Sequence, residues 1–439
     1  MPNNYGSIYV SKFYLCVAKH NIKYRCKKSK NLALRQALNY CVAHKEKQFS
    51  KILEELGSDY SEDIGYQKLI LLQIVGEIYG HHTLTGLLSS VGINPSGSNK
   101  NWQSLSFTKI WSWLEKCIRS EFKADFEELL AKSDSSWSRQ NITAIGDESM
   151  FRQWLCGESK ENDEHYQRSF SGQFCKVVWG YKMSVWGVMM NDRFYPLVIK
   201  CLKSSETCRS VAEKCVEELA TFLYEISKGY NKPDLFFSVD SGFNHVLLLK
   251  KIEEKGFVPI CVPKDNHCIT YEDKSLKIKE LKVIFEKKEK KYFAKNPDET
   301  SFCWRIKATY RMHQREVTFI IFRLKGSKKV SVVFCFDTQA MAKTIRRHWF
   351  ARTSIEQFFR LMKTTLRIQE SVSNGYEGFI KKFSMTCLKA CFVLQIRNRV
   401  RKKIKGMQTA TWVNIRRVLA YDLGVGWLEN SAKNHAFCT

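Results

Sequence analysis

The stretch WFARTSIEQFFRLMK, residues 349–363, decides the fold that the sequence predicts. Its apolar residues recur at helical spacing and, with the next apolar position, form one stripe: Ile355, Phe358, Phe359, Met362 and Leu366. A neighbouring face carries one acid among cations: Glu356, Arg360, Lys363 and Arg367. The pattern predicts an amphipathic helix whose apolar stripe packs on a core. An ordinary surface helix with Glu–Arg and Glu–Lys pairs along one face has the same pattern.

Two acidic residues end β-prone runs upstream of this helix. Residues 141–147 read NITAIGD and residues 235–240 read LFFSVD, so the runs end at Asp147 and Asp240. Short apolar runs of this kind are typical of strands buried on both faces of a sheet. An acid at the end of a central strand is poorly placed for packing but well placed to bind a metal at the edge of the sheet. Asp147 and Asp240 are therefore candidate ligands.

The spacing of Trp349, Arg352, Glu356 and Lys363 resembles the tyrosine–arginine–glutamate–lysine signature of bacterial insertion-sequence transposases. These enzymes cut and paste DNA with a DDE triad of carboxylates on an RNase H-like core. Three of the four signature residues match in type and spacing, and Trp349 stands where the family carries tyrosine. The resemblance implies that Asp147, Asp240 and Glu356 are the catalytic and metal-binding triad. It covers about residues 140–405 in organisation.

The resemblance also implies a cofactor and a set of DNA contacts. A two-metal phosphodiester site would use two Mg²⁺ ions, with Mn²⁺ as a substitute, held by the three carboxylates. The predicted DNA-binding residues are Trp349, Arg352, Arg360, Lys363, Arg367 and Trp304. Arg352 and Lys363 are expected on phosphates of the transposon end. For Trp349, packing and base stacking remain open, and Trp304 is a candidate for stacking on a flipped base.

The charge distribution favours a nucleic-acid partner. The chain of 439 residues has 71 Lys and Arg against 44 Asp and Glu, a formal net charge of +27. Residues 1–50 carry ten of these cations and one acid, and residues 341–406 carry sixteen and three. Concentrated positive charge suits a polyphosphate ligand, because neutralised phosphates release counterions. A basic protein with solvated lysines is the plainer interpretation of the same numbers.

The order of predicted elements indicates an α/β fold: an RNase H-like core with a β-rich insertion before the last catalytic glutamate. Residues 1–135 are predicted to be an all-helical, DNA-binding domain or a plain helical bundle. Residues 136–265 form the first part of the core, in which the first and fourth strands lie side by side. Residues 266–338 form the insertion. Residues 339–405 carry the signature helix and a basic helix, and residues 406–439 form a docking or dimerisation tail.

Several other features limit the interpretation. No hydrophobic run reaches transmembrane length and the first thirty residues lack a signal peptide, so we expect a cytoplasmic, nucleoid-associated protein with no membrane partner. Sixteen cysteines without a Cys-x-x-Cys pair predict reduced, buried thiols. Three further polar residues compete weakly with the triad. Glu148 would point to the other side of its strand, Asp337 is expected to cap a helix, and His245 is expected to be structural.

The predicted function is cut-and-paste DNA transposition. The protein would bind the ends of its insertion sequence as a homodimer, cleave them and join the released 3′-hydroxyl ends to target DNA. Two alternatives remain: a domesticated DNA-binding protein that no longer cuts, and an RNase H-like nuclease without strand transfer. The end sequence, the target site and the cleavage route, by a hairpin or otherwise, do not follow from the sequence.

Overall fold

The structure is a computed structural model that describes residues 107–132, 142–153, 163–227, 235–296, 301–324, 330–370 and 375–403. These residues belong to two compact units. One comprises the described parts of residues 1–122 and 360–439, and the other comprises those of residues 123–359. The second unit contains every described strand. Within the described ranges, no helix combines the length and the hydropathy needed to cross a membrane.

The second unit is mixed α/β, as the sequence predicted. Eleven described strands form one sheet. Their bounds are β1 Ile142–Arg152, β2 Tyr166–Ser171, β3 Lys176–Met190, β4 Arg193–Cys201, β5 Leu235–Ser238, β6 Phe257–Cys261, β7 Cys268–Tyr271, β8 Lys274–Lys277, β9 Ser301–Tyr310, β10 Arg315–Leu324 and β11 Ser331–Cys335. The order across the sheet is β2-β3-β1-β5-β6-β11-β10-β9-β7-β8, and β4 pairs with β3.

The helices are fewer than the strands. Their bounds are α1 Phe107–Lys132, α2 Cys208–Ile226, α3 Val246–Glu254, α4 Ile278–Lys295, α5 Ala342–Ala351, α6 Thr353–Arg360 and α7 Gly375–Lys403. A 3₁₀ turn covers Ser241–Phe243 and a π-helical turn covers Leu361–Thr365. In the unit that contains residues 360–439, α7 packs against this π-helical turn.

The pairing around β1 positions the candidate acids. β3 runs antiparallel to β1 on one side, and β5 runs parallel to β1 on the other. The predicted adjacency of the Asp147 strand and the strand before Asp240 is therefore confirmed. The sequence also predicts a hairpin at residues 191–193 between two β-rich runs, and the β3–β4 pair confirms it: Asn191 and Asp192 have φ of 51° and 63°, as a tight primed turn requires.

The β-rich insertion continues the same sheet. β11 pairs antiparallel with β6, and β10 and β9 follow in antiparallel order. Helix α5 packs on this junction, where a buried apolar cluster joins four strands to the helix. The cluster comprises Phe236, Ile260, Ile320, Phe322, Val333, Cys335, Ala340 and Ile345, and Trp349 packs against it.

Several local predictions were wrong. The sequence pattern predicts separate helices near residues 107–117 and 122–130, but the structure has one continuous helix, because no proline or glycine interrupts that stretch. Strands β2, β7 and β8 were not predicted, since β2 has only six residues and β7 and β8 have four each. β1 does not end at Asp147 but continues to Arg152, because β3 is long enough to pair with its whole length.

The predicted helix around Glu356 is interrupted. Thr353 Oγ1 donates to the Phe350 carbonyl (2.8 Å) and Ser354 Oγ to that of Ala351 (2.7 Å), where α5 gives way to α6. Such hydroxyl bonds compete with helix hydrogen bonds. Arg367 was predicted on the same helical face, but it lies beyond the π-helical turn with φ of 53°. The apolar stripe itself is buried as predicted.

Parts of the prediction lie outside the described residues. They include most of the N-terminal helical domain and the tail at 406–439. The sequence also predicts a possible helix-turn-helix unit over residues 83–117, a polar linker at 132–136 and a turn at 325–328; residues 83–106, 133–136 and 325–328 of these lie outside as well.

Candidate functional site

The parallel register of β1 and β5 brings two of the three candidate acids to one edge. The last paired positions are Ile145 and Ser238. Continuing that register by two residues sets Asp147 opposite Asp240. β5 has ended there, so Asp240 begins the 3₁₀ turn while Asp147 remains on β1. The Cys261 thiol donates to the Asp240 carbonyl (3.3 Å), which ties this turn to β6.

Glu356 joins the two aspartates from the first turn of α6. Burial raises the pKa of the Asp147 carboxyl to about 7. The Glu148 backbone N–H and the Arg352 guanidinium oppose this rise, while the carboxylates of Asp240 and Glu356 add to it. Asp147 is therefore near enough to both other acids to be repelled by them. We refer to Asp147, Asp240 and Glu356 as the carboxylate cluster.

Arg352 is the cation of this cluster. Its Nη2 lies 2.5 Å from Glu356 Oε1 and its Nη1 lies 3.8 Å from Asp147 Oδ2. The guanidinium is only 11% exposed and lies over the Trp349 ring, 4.7 Å from its centroid. The Trp349 indole thus packs on the core and supports Arg352. Within the described residues Arg352 Nε has no hydrogen-bond partner.

Buried His348 fixes α5 to the two strands of the cluster. Its Nδ1 lies 2.7 Å from Thr143 Oγ1 on β1, and its ring stacks on Phe236 of β5 with centroids 4.3 Å apart. His348 precedes Arg352 by one helical turn, so this anchor sets where Arg352 lies. Sequence reasoning missed His348; the four-residue spacing to Arg352 was the available signal.

Gly146 allows a close approach beside Asp147. A Cβ atom at this position would overlap the six-membered ring of Trp186. Trp186 is fully buried, donates from Nε1 to Ser184 Oγ (2.7 Å) and contacts the rings of Phe237 and Phe243. The indole therefore lies directly over β1 next to the cluster, and glycine is the residue that makes room for it.

The competing polar residues lie elsewhere. Glu148 faces the other side of β1, as predicted, and pairs with Lys182 (2.9 Å). Asp337 was expected to cap a helix, but α5 begins only at Ala342. Asp337 instead accepts from the backbone N–H groups of Gln339 and Ala340 in the preceding turn. His245 is exposed at the start of α3.

The remaining predicted DNA contacts are not gathered around the cluster within the second unit. Arg360 is the exposed last residue of α6, and Lys363 and Arg367 follow it; all three belong to the other unit. Trp304 lies on β9, which three strands separate from β5. Its ring is contacted by Lys288 (4.4 Å from the centroid) and by Tyr271. These DNA contacts stay predictions.

The cluster has the donor chemistry for a divalent cation. Its hard carboxylate oxygens are the ligands that Mg²⁺ prefers, and their mutual repulsion is what a cation between them would relieve. The side chains are nonetheless not closed around one ion. Across the described ranges, no three His, Cys, Asp or Glu residues form a group that could hold a metal. Arg352 holds Glu356 in this arrangement.

No protein-family model matches the chain, and no curated protein sequence is significantly similar to it.

Proposed function

We propose that this protein is a DDE transposase that binds the ends of its insertion sequence, cleaves them and joins the 3′-hydroxyl ends to target DNA. The observation that carries the proposal is the meeting of Asp147, Asp240 and Glu356 across a parallel strand pair and a helix. The tyrosine–arginine–glutamate–lysine spacing supports it independently, because it singles out Glu356 from the sequence without reference to any structural contact.

The topology supports an RNase H-like core. Along the sheet, the strands β4-β3-β1-β5-β6 are adjacent, with β3 antiparallel and β5 and β6 parallel to β1. Numbered among themselves, these five strands have the order 3-2-1-4-5. That order is the one in which first and fourth strands lie side by side, as the resemblance implies. Helix α2 follows the third of these strands and α3 the fourth.

The chain's own residues would act on a phosphodiester as follows. Asp147, Asp240 and Glu356 would hold Mg²⁺, and the ions when bound supply Lewis acidity to the attacking water and to the leaving 3′ oxygen. Arg352 has to release Glu356 when the cluster binds cations, and its guanidinium then becomes available to a phosphate oxygen. Trp349 supports the guanidinium from one side and limits where it turns.

The testing experiment is cleavage of DNA that flanks the coding sequence, including any terminal inverted repeats. The full chain is assayed with Mg²⁺ or Mn²⁺ beside Glu356→Gln, and a denaturing gel reveals nicks, double-strand cuts or hairpins. Metal-dependent cutting at the ends, absent in the variant with DNA binding retained, is the expected result. Binding without cutting by either protein would favour a domesticated DNA-binding protein, and cutting without joining would favour a nuclease. If the protein neither binds nor cuts this DNA, the proposal is overturned.

A further inference from the structure

Helix α4 in the insertion carries a surface of unpaired lysines that the carboxylate cluster does not use. It contains seven lysines and three glutamates. Four exposed lysines fall within about one third of the helix circumference at helical spacing: Lys279, Lys287, Lys290 and Lys291. We call these four residues the lysine face. The opposite side of α4 is buried through Ile278, Leu281 and Phe285.

The three acids of α4 bind groups other than the lysines of the lysine face. Glu289 is only 8% exposed and forms a two-pronged pair with Arg323 of β10, which also lies 3.5 Å from Glu286. Glu280 accepts from the Lys277 backbone N–H at 2.8 Å. A solvated surface helix usually pairs its lysines with glutamates one turn away. Here, within the described ranges, the four lysines of the lysine face make no ion pair.

Two of the three other lysines of α4 differ in this respect. Lys282 pairs with Asp265 (2.5 Å), and Lys288 lies over the Trp304 ring. The lysine face therefore retains its full charge towards solvent, on a helix that the Arg323–Glu289 pair fixes to the sheet. From Lys279 to Lys291 it extends roughly 18 Å. A DNA duplex presents about ten phosphate charges over that length.

We propose that the lysine face is a second, sequence-independent binding surface for the backbone of duplex DNA. This inference rests on the proposed function for the identity of the polyanion. An acidic protein partner would need apolar or aromatic anchors, and the face offers only Val283 between its lysines. Four strand intervals separate β9, on which α4 packs, from β5. At ~4.8 Å each, this is roughly 19 Å, too far to contact the scissile phosphate.

Because it lies this far from the carboxylate cluster, the lysine face would contribute to DNA affinity and not to the cleavage step. The DNA it holds is a segment outside the one at the carboxylate cluster. Because the lysines are exposed and contact phosphates alone, their contribution is expected to depend steeply on salt and little on base sequence. A substitution there should weaken binding of any duplex and leave the cleavage rate of saturated enzyme unchanged.

The test compares two fourfold variants of the full chain, each in a Glu356→Gln background that prevents cutting. One changes Lys279, Lys287, Lys290 and Lys291 to Gln. The matched control changes four lysines that are already paired with acids, namely Lys203, Lys214, Lys251 and Lys255. Both remove four positive charges, and glutamine keeps helix propensity close to that of lysine. Affinity for a mixed-sequence duplex without the element's ends is measured over a series of salt concentrations.

The lysine-face variant should bind at least about tenfold more weakly near 0.1 M salt, and its slope of log affinity against log salt should fall by about two to four units. The control should stay within about twofold of its parent. Equal losses in both variants, or none in either, would overturn the proposal. Cleavage assays with Glu356 restored keep the two hypotheses apart. If the protein cuts the ends but the lysine-face variant keeps the salt slope of its parent, only the lysine-face proposal is rejected. If the lysine-face variant loses duplex binding but the protein with Glu356 cuts nothing, only the transposase proposal is rejected.

Discussion

The carboxylate cluster and the lysine face place charge in opposite ways. In the cluster, Arg352 is nearly buried, lies against Trp349 and is held by Asp147 of β1 and Glu356 of α6. On α4, Glu286 and Glu289 lie beside Arg323 of the sheet, while the four lysines of the lysine face are exposed. Buried, paired charge fixes geometry and shifts pKa values. Exposed, unpaired charge acts at a distance and is screened by salt. The first suits chemistry and the second suits affinity.

The largest expected effect is the loss of DNA cleavage when the carboxylate cluster loses one of its acids. Glu356→Gln removes a carboxylate while keeping the size of the side chain, so DNA cleavage should fall on the order of a thousandfold or more. The measurement is single-turnover cleavage at saturating DNA. Glu253→Gln is the matched control. Glu253 is an exposed acid of α3 that pairs with Arg315 and does not belong to the carboxylate cluster. A similar loss of cleavage in both variants would mean that the carboxylate cluster has no specific role in the reaction.

The packing behind the cluster is the next point to test. Gly146→Ala places a Cβ into the Trp186 ring, and we expect the free energy of unfolding to fall by about 2 kcal/mol or more. Gly242→Ala is the control, since a Cβ there meets nothing within 4 Å. Chemical denaturation of both variants measures the difference. If Gly146→Ala were as stable as Gly242→Ala, the close fit of Trp186 over β1 would be incorrect.

Replacing Arg352 is expected to have an intermediate effect on cleavage, and it tests the electrostatic role of this buried cation. Its guanidinium lowers the pKa of Asp147, so Arg352→Gln should raise that pKa and move the acid limb of the pH–rate profile to higher pH. Cleavage near neutral pH should fall roughly tenfold to a hundredfold. Arg352→Lys keeps the charge and should shift the limb less. An unshifted limb in Arg352→Gln would mean that Arg352 does not face Asp147.

The last expected effect is on stability as a function of pH. The Asp147 carboxyl ionises near its ordinary pKa of 3.8 in the unfolded chain and near 7 in the folded protein. Between these values the folded protein holds the extra proton, so the free energy of unfolding falls as pH rises. Asp147→Asn should therefore match the parent below about pH 4 and exceed it by about 4 kcal/mol at pH 8, because the pKa rises from 3.8 to about 7 on folding. Thermal unfolding across this range, without divalent cations, measures the difference. A constant offset at all pH values would argue against the raised pKa.

The sequence predicted the elements whose pattern is local. Apolar runs and helical stripes gave β1, β3 to β6, α2 and the buried face of α6, and the hairpin turn followed from Asn191 and Asp192. It did not predict the end of β1, because the length of that strand depends on its distant partner β3. The break at Arg352 depends on two hydroxyl–carbonyl hydrogen bonds that strong helical periodicity conceals.

In the candidate site, too, the sequence predicted some residues and missed others. The ends of two β-prone runs singled out Asp147 and Asp240, and the resemblance to the transposase signature singled out Arg352 and Glu356. The anchoring contact between His348 and Thr143 joins residues 205 positions apart and leaves no periodic signal. The paired state of Arg352 and the contact of Lys288 with Trp304 are likewise tertiary. Such contacts depend on side chains that meet only after the sheet has formed.

The pairing of β11 with β6 has a consequence for how the chain reaches its fold. The insertion is hydrogen-bonded to the core across Phe334–Cys261 and Cys335–Ile260, residues more than seventy positions apart in the chain. Until β11 is synthesised and docks, β6 is an unprotected edge beside a parallel pair, open to pairing with other chains. Such long-range pairing slows folding. A shortened protein without the insertion would therefore be expected to aggregate, so the segment that enlarges the sheet also guards its solubility.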